Sequence, residues 1–317
     1  MKKRLLGLLC MGILLIGGAL ACRHFWFSLP VGEGPAGPPV PGDLFAETWS
    51  DRKVLLLGVG DSITAGLGAA STDHSSFNRL VANPSDEFPD VQGICLSAVL
   101  PNLRTENLAV SGSTSIYHVE MLRDELEIQD PDTFGLVVMT SGGNDLIHSY
   151  GRMPPREGAM YGATLAQAQP WIDNFQKRLH TMIDLLEERF PGGCLIFLAD
   201  VYDPTDGVGS ALGAGLPRWD DGLAIHQAYN DVIRLCAKDR SSVHLVPLHR
   251  AFLGHGIYCT QFWREHYRPE DPHYWYYGNL EDPNDRGYDA IRRLFLIEIA
   301  ERATEFQREP APAEPAT

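Results

Sequence analysis

Ser62 stands in Gly60-Asp61-Ser62-Ile63-Thr64-Ala65-Gly66, directly after the apolar run 53–59. A serine at a strand-to-helix turn exposes its hydroxyl at the top of a sheet. The amides that open the next helix favour developing negative charge. The plainer reading of the same residues is a helix N-cap at Asp61 or Ser62. A second block, Val110-Ser111-Gly112-Ser113-Thr114, closes the run 105–110. Its glycine lets a backbone N–H approach a ligand closely, although alone the block is an ordinary turn. A third block, Ser141-Gly142-Gly143-Asn144-Asp145, follows the run 134–140. Asn144 offers a side-chain amide, the donor that an oxyanion needs, and Asp145 can position the loop through backbone hydrogen bonds. Alone, this block too is a turn with a helix cap. In chain order, the three supply a nucleophile and two or three oxyanion donors, the parts of an acyl-transfer site.

Five short apolar runs carry these blocks and complete a sheet: 53–59, 105–110, 134–140, 194–201 and 243–248. They are continuous rather than alternating, the mark of parallel strands covered on both faces. Helical stripes separate them. In 171–190, Trp171, Phe175, Leu179, Met182 and Leu186 recur at steps of three and four; in 287–306, Ile291, Phe295 and Ile299 recur at steps of four. Alternating strand and helix predicts a doubly wound α/β/α sandwich. Ligands of such folds bind beyond the carboxyl ends of the strands, where the three blocks fall.

In these blocks the chain resembles the SGNH/GDSL hydrolase superfamily over residues 53–306. Gly60-Asp61-Ser62 matches its first block, Gly112 its second and Gly142-Gly143-Asn144-Asp145 its third. The resemblance implies a flavodoxin-like α/β/α fold on a five-stranded parallel sheet. It also implies ester hydrolysis without metal or cofactor. Ser62 would be the nucleophile, and the Ser62 N–H, Gly112 N–H and Asn144 amide the oxyanion hole, with Asp61 and Asp145 in support.

The family's last block reads D-x-x-H-P-N before the final helix, its histidine serving as base and its aspartate orienting that histidine. Here the segment is Asn279-Leu280-Glu281-Asp282-Pro283-Asn284. Asp282 stands in the histidine position and Asn279 in the aspartate position. A serine hydroxyl is a weak nucleophile without an adjacent base. An aspartate, with a pKa of about 3.9, is a poor base at neutral pH unless its surroundings raise that value. His249, His255, His266 and His273 crowd the preceding stretch. His255, between two glycines, is the expected base, with Asp282 orienting it; His273 is the alternative, and a surface histidine the plain reading of either. The expected function is a serine esterase acting on small, carbohydrate or lipid esters. A non-catalytic binding protein on the same fold and an acyltransferase stay open.

The remaining features bound the setting. The 317 residues are 44% hydrophobic and carry a net charge of −15. One domain over 51–306 is expected, and nucleic acid is disfavoured as a partner. Lys2, Lys3 and Arg4 precede an apolar run over 5–21 that ends in Ala19-Leu20-Ala21. This segment, 1–21, reads as a cleaved signal or an uncleaved anchor. Cys22 admits lipidation, against which Ala19 stands where leucine is usual. Each reading puts the body outside the cytoplasm, secreted, periplasmic or membrane-anchored. Residues 22–50 are expected to form a Pro/Gly-rich tether, loose over 28–43, and 307–317 a disordered tail. Among the cysteines beyond Cys22, Cys194 and Cys236 read as buried hydrophobes, although disulfides are permitted. The absence of C-x-x-C and H-x-x-x-H spacings argues against zinc. Asp203, Asp206 and Gly207 read as a substrate-side loop rather than a calcium site. Tyr274, Trp275, Tyr276 and Tyr277 either stack on substrate or pack their long loop onto the core.

Overall fold

The computed structural model describes residues 2–307; the tail expected from Arg308 onward lies outside the described residues. The strands are β1 (Lys53–Val59), β2 (Leu103–Asn107), β3 (Thr133–Met139), β4 (Cys194–Ala199) and β5 (Val243–Val246). They form one sheet in the order β2-β1-β3-β4-β5, every pair parallel. The helices are α1 (Lys2–Phe27), α2 (Ser62–Ala65), α3 (Ser76–Val81), α4 (Leu96–Val99), α5 (Ser115–Asp124), α6 (Gly143–Ile147), α7 (Leu165–Arg189), α8 (Gly222–Asp239), α9 (Leu248–Phe252) and α10 (Asp285–Ala300). Hydrophobic side chains of α3, α4, α9 and α10 cover one face of the sheet, and those of α5, α7 and α8 the other. This is the three-layer arrangement expected.

β1 and β3 are buried almost throughout, as continuous apolar runs at a sheet centre must be. β2 departs from expectation. It is the edge strand Leu-Arg-Thr-Glu-Asn with mostly exposed side chains, and the apolar Leu108-Ala109-Val110 lies beyond its end. An edge strand has only one neighbour to pack, so hydrophobicity is a poor guide to its bounds. α7 begins six residues before the apolar stripe. A capping box between Thr164 and Gln167 starts it there, and Pro170, its sixth residue, has no N–H to offer the Ala166 carbonyl.

α10 carries an unusual load for a buried helix. Arg292 and Arg293 are 0% and 1% exposed, and Arg79 of α3 is 2% exposed. Glu87, Asp289 and Asp90 neutralise them. Asp289 also accepts the Ala36 backbone N–H at 2.9 Å.

That bond corrects the expected loose tether. α1 runs unbroken through Phe27, past Cys22. The segment after it is held against the body: Tyr274 N–H donates to Pro30 O at 2.7 Å. Arg286 donates to the carbonyls of Glu33 and Gly34 at 2.7 and 2.9 Å. Proline and glycine composition suggested freedom, but extended backbone leaves its carbonyls open, and buried donors of α10 and its approach take them. All six cysteines are unpaired, with Cys236 buried and Cys194 half-buried.

Candidate active site

β1 delivers Ser62. Gly60 ends the strand at φ 148°, where an added Cβ would meet Thr140 Oγ1 at 2.4 Å, so the chain turns there only with glycine. Asp61 is the N-cap of α2: its side chain accepts the Ile63 N–H at 3.1 Å and the Thr140 hydroxyl at 3.0 Å. Ser62 opens the helix with 8% exposure. Burial pushes the Asp61 carboxyl up to about 6, opposed by those two bonds and assisted by the charge of Asp282.

The second and third blocks are tied to the first and to each other. Gly112 has φ 81°, the left-handed region. Ser113, next in sequence, donates its hydroxyl to Gly60 O at 3.1 Å. Its carbonyl accepts from Asn144 Nδ2 at 2.8 Å. Asn144 is 7% exposed and keeps a second amide hydrogen for a ligand. Among the described residues the Ser62 and Gly112 amides have no backbone acceptor. Asp145 is fully buried and turned away: it accepts the Ser115 N–H at 2.8 Å and its hydroxyl at 2.6 Å, with Arg178 at 3.5 Å. It therefore braces the start of α5. Burial raises its pKa, and the Ser115 and Arg178 contacts oppose the rise.

A buried histidine that sequence reasoning missed joins all three blocks. His118 is 0% exposed. Its Nε2 is 2.7 Å from Ser113 Oγ and its Nδ1 is 2.9 Å from Ser141 Oγ. The Ser113 proton goes to Gly60 O, so Nε2–H donates to Ser113 and Nδ1 accepts from Ser141. Burial holds the imidazole down at about 4, and hence neutral. Its position one turn into the helix after the second block was the available signal.

The fourth block brings Asp282, not a histidine, to Ser62. The Asp282 carboxyl lies near enough to the Ser62 side chain for that hydroxyl to favour its charged form, although no hydrogen bond of regular geometry joins the two. It is 1% exposed. Its Oδ2 accepts from Asn279 Nδ2, and its backbone N–H donates to Asn279 Oδ1 at 3.1 Å. Oδ1 is buried and accepts no regular bond, so it is the oxygen available to a proton from Ser62. Burial raises the pKa above the usual carboxylate range, opposed by the Ser62 and Asn279 contacts. Asn284 then caps α10 through the Gly287 N–H.

The expected pairing of His255 with Asp282 is not formed. The His255 ring stacks on Trp275 with centroids 3.5 Å apart, and Nδ1 lies 3.1 Å from the His273 carbonyl. Its carboxylate neighbour is Asp271, at 4.0 Å. His273 also goes to Asp271, at 2.5 Å. Asp271 in turn takes both oxygens to Arg286 at 2.7 Å. Burial lowers His255 to about 4. The loop thus has its own carboxylate, and its imidazoles serve to fold it. Asp206, accepting from the Gly254, Gly256 and Tyr258 amides, clamps the same loop. Tyr274, Trp275 and Tyr276 are buried and pack the loop down; Tyr277 is half exposed.

Beside Ser62 and Asn144 opens a cleft of ≈ 130 Å³. Its walls are largely apolar, with Ile63, Ile147, Tyr202, Leu216, Trp219 and Leu280 among them. Among the described residues that line it, the one histidine is His226, whose Nε2 is bonded to Val201 O at 2.8 Å.

With this geometry in place, the sequence matches the GDSL-like lipase/acylhydrolase family over residues 59–290. The chain is a member of that family. Membership makes this GDSL-family chain a hydrolase of the esterase and lipase type. Among solved structures it is similar to an acetyl xylan esterase from Geobacillus stearothermophilus, at 18% identity and TM-score 0.52, covering 80% of this chain and 97% of that one. It is also similar to an extracellular lipase from Streptomyces rimosus (19% identity, TM-score 0.49, 78% and 99% covered). A phospholipase A1 from Streptomyces albidoflavus is comparable (18%, 0.49, 77% and 98%). At 18% identity the likeness to the acetyl xylan esterase speaks for the fold. No curated protein sequence matches the chain.

Proposed function

We propose that this GDSL-family protein hydrolyses carboxylic esters through an acyl-enzyme on Ser62, with Asp282 as the proton acceptor in place of a histidine. The observation that carries the reading is the buried Asp282 carboxyl beside the Ser62 side chain, with its Oδ1 free of any hydrogen-bond partner. Burial that raises the Asp282 pKa makes it a better base than an exposed aspartate. The Ser62 proton passes to Asp282 as Oγ bonds to the ester carbonyl carbon. The oxyanion is met by the Asn144 amide and by the Ser62 and Gly112 N–H groups. The alkoxide leaves with the proton from Asp282. Water then attacks the acyl group, gives its proton to Asp282, and Ser62 leaves and recovers a proton. The apolar cleft favours an ester with an apolar acyl group.

A second reading, a binding protein that has lost catalysis, is favoured by one observation: no histidine from 249–273 lines the cleft. Labelling with a fluorophosphonate probe separates the two. The catalytic reading requires labelling of the wild type, none of Ser62→Ala, and slow labelling of Asp282→Asn. A wild type that stays unlabelled while folded gives the site to binding.

A further inference from the structure

α1 ends at a groove beside the Ser62 cleft. Its apolar stretch, Leu6–Phe27, has a mean hydropathy of 2.0 and is 0% buried. At about 1.5 Å per residue it is about 33 Å long, enough for a bilayer core. Its last turn is seated on the body rather than free. Gln261 Nε2 donates to Phe25 O at 2.8 Å and Thr260 Oγ1 to His24 O at 3.3 Å. These bonds satisfy carbonyls that a helix end leaves open. The Phe25 ring lies 5.6 Å from Phe262 and 4.9 Å from Trp263.

Beyond this contact, Phe262 and Trp263 are 64% and 48% exposed. Aromatic side chains beside the end of an apolar helix are suited to a membrane–water boundary. A second groove, of ≈ 390 Å³, starts at Trp26, Phe27 and Leu29. It shares Tyr150, Leu216 and Leu280 with the Ser62 cleft, so the two adjoin. The chain after α1 is clamped at once through Pro30, Glu33, Gly34 and Ala36. The end of the helix therefore has a fixed place on this face of the body.

We propose that α1 remains on the chain as an anchor and seats this face on the membrane, so that the ester is an acyl lipid drawn from the leaflet. The acyl chain slides along Phe27, Leu29 and Leu216 into the apolar cleft, bringing its ester to Ser62. The substrate part rests on the esterase reading above. The seating does not, because it follows from the docked helix and the exposed aromatics.

The test uses the full chain in vesicles of phosphatidylcholine, with two esters. One is a long-chain acylglycerol embedded in the vesicles, the other water-soluble p-nitrophenyl acetate. Phe262→Ser with Trp263→Ser should slow turnover of the embedded ester by about tenfold, from the apolar contact removed. Acetate turnover should not change, which also shows that the variant folds. Independently, brominated phosphatidylcholine should quench tryptophan fluorescence in the wild type more than in Trp263→Phe. Equal quenching overturns the seating. Wild-type turnover of the embedded ester by the double variant, or failure of the wild type to cleave it while cleaving the acetate, overturns the lipid route. If neither ester is cleaved, the esterase reading fails and takes the lipid substrate with it, and the quenching still decides the seating.

Discussion

Asp282 sits beside the Ser62 side chain on a turn that Asn279 holds from both sides, its amide donating to Asp282 Oδ2 and its oxygen accepting the Asp282 N–H. The pair puts a carboxylate where an imidazole would ordinarily take the serine proton. Burial works against that carboxylate's charge, and the charge of Asp282 in turn helps to raise Asp61, which burial pushes up to about 6. The proposed mechanism needs Asp282 ionised, whereas its burial favours the neutral form.

Asp282→Asn should therefore act in opposite directions on activity and stability. Removing a general base lowers kcat by about 100- to 10,000-fold. At neutral pH the same change removes a buried charge while keeping the size and an oxygen for the Asn279 amide, so the melting temperature should rise. Ester turnover and thermal unfolding on the same preparation check this. A variant that loses stability and keeps turnover refutes the role given to Asp282.

The pH dependence carries a sign. A base must be ionised, so turnover is present above the Asp282 pKa and lost as pH falls through it. That pKa lies above the usual carboxylate value because of burial. For stability the same raised pKa has the reverse effect: the contribution is full below the unfolded value and lost as pH rises through the folded one. Profiles of kcat/KM at two temperatures identify the group. Carboxylate ionisation has a small enthalpy and imidazole a large one, so the acidic limb should hardly move with temperature.

Asn144→Ala should lower kcat by about 100- to 1,000-fold, the usual effect of one lost oxyanion donor. Its side chain also bonds Ser113 O, so His118→Leu offers a separate check on the frame behind it. That change leaves Ser113 and Ser141 buried without their partner and should destabilise by about 1–3 kcal/mol. If His118 positions the donors, kcat falls while KM holds; a purely structural role would lower the melting temperature alone.

The sheet and the three glycine-containing blocks were legible because local rules govern them. Buried parallel strands read as apolar runs, and the first and third blocks sit at strand ends that the runs mark, whereas the second follows edge strand β2, which ends at Asn107 before the apolar residues. The long loop 253–284 was not legible. His255 is placed by stacking on Trp275, His273 by Asp271, and Asp271 by Arg286. These contacts are set by packing across the loop, with no periodicity to announce them. The segment 28–43 misled for a related reason. Its composition describes the free chain, whereas its place is set by Asp289 and Arg286 of α10.

Asp289 should accordingly be a point of failure. It is 0% exposed and faces Arg292, Arg293 and the Ala36 N–H. Asp289→Ala leaves buried guanidinium charge without its partner, a loss of about 3–5 kcal/mol. Urea unfolding should register it, and limited proteolysis should open residues 28–43 first. A variant of wild-type stability would mean that Glu87 and Asp90 suffice.

The last expectation concerns the substitution that sets this chain apart. With Asn279 and Asp282 adjacent in one turn, Asn279→Asp combined with Asp282→His places an imidazole beside Ser62 and a carboxylate beside the imidazole. Oδ2 of Asp282 now receives the Asn279 amide; in the double variant a ring N–H would donate to the new carboxylate instead. An imidazole has an unperturbed pKa of about 6.5, closer to neutrality than a carboxylate, and so accepts the serine proton with more driving force. The double variant should raise kcat above wild type and move the acidic limb of the profile toward the imidazole value, with a strong temperature dependence. Asp282→His alone should gain less, because Asn279 offers no charge to the imidazolium that forms. If the double variant folds, binds the fluorophosphonate probe no faster than wild type and keeps the wild-type pH profile, then position 282 does not carry the proton. The reading of Ser62 and Asp282 as a working pair would fall with it.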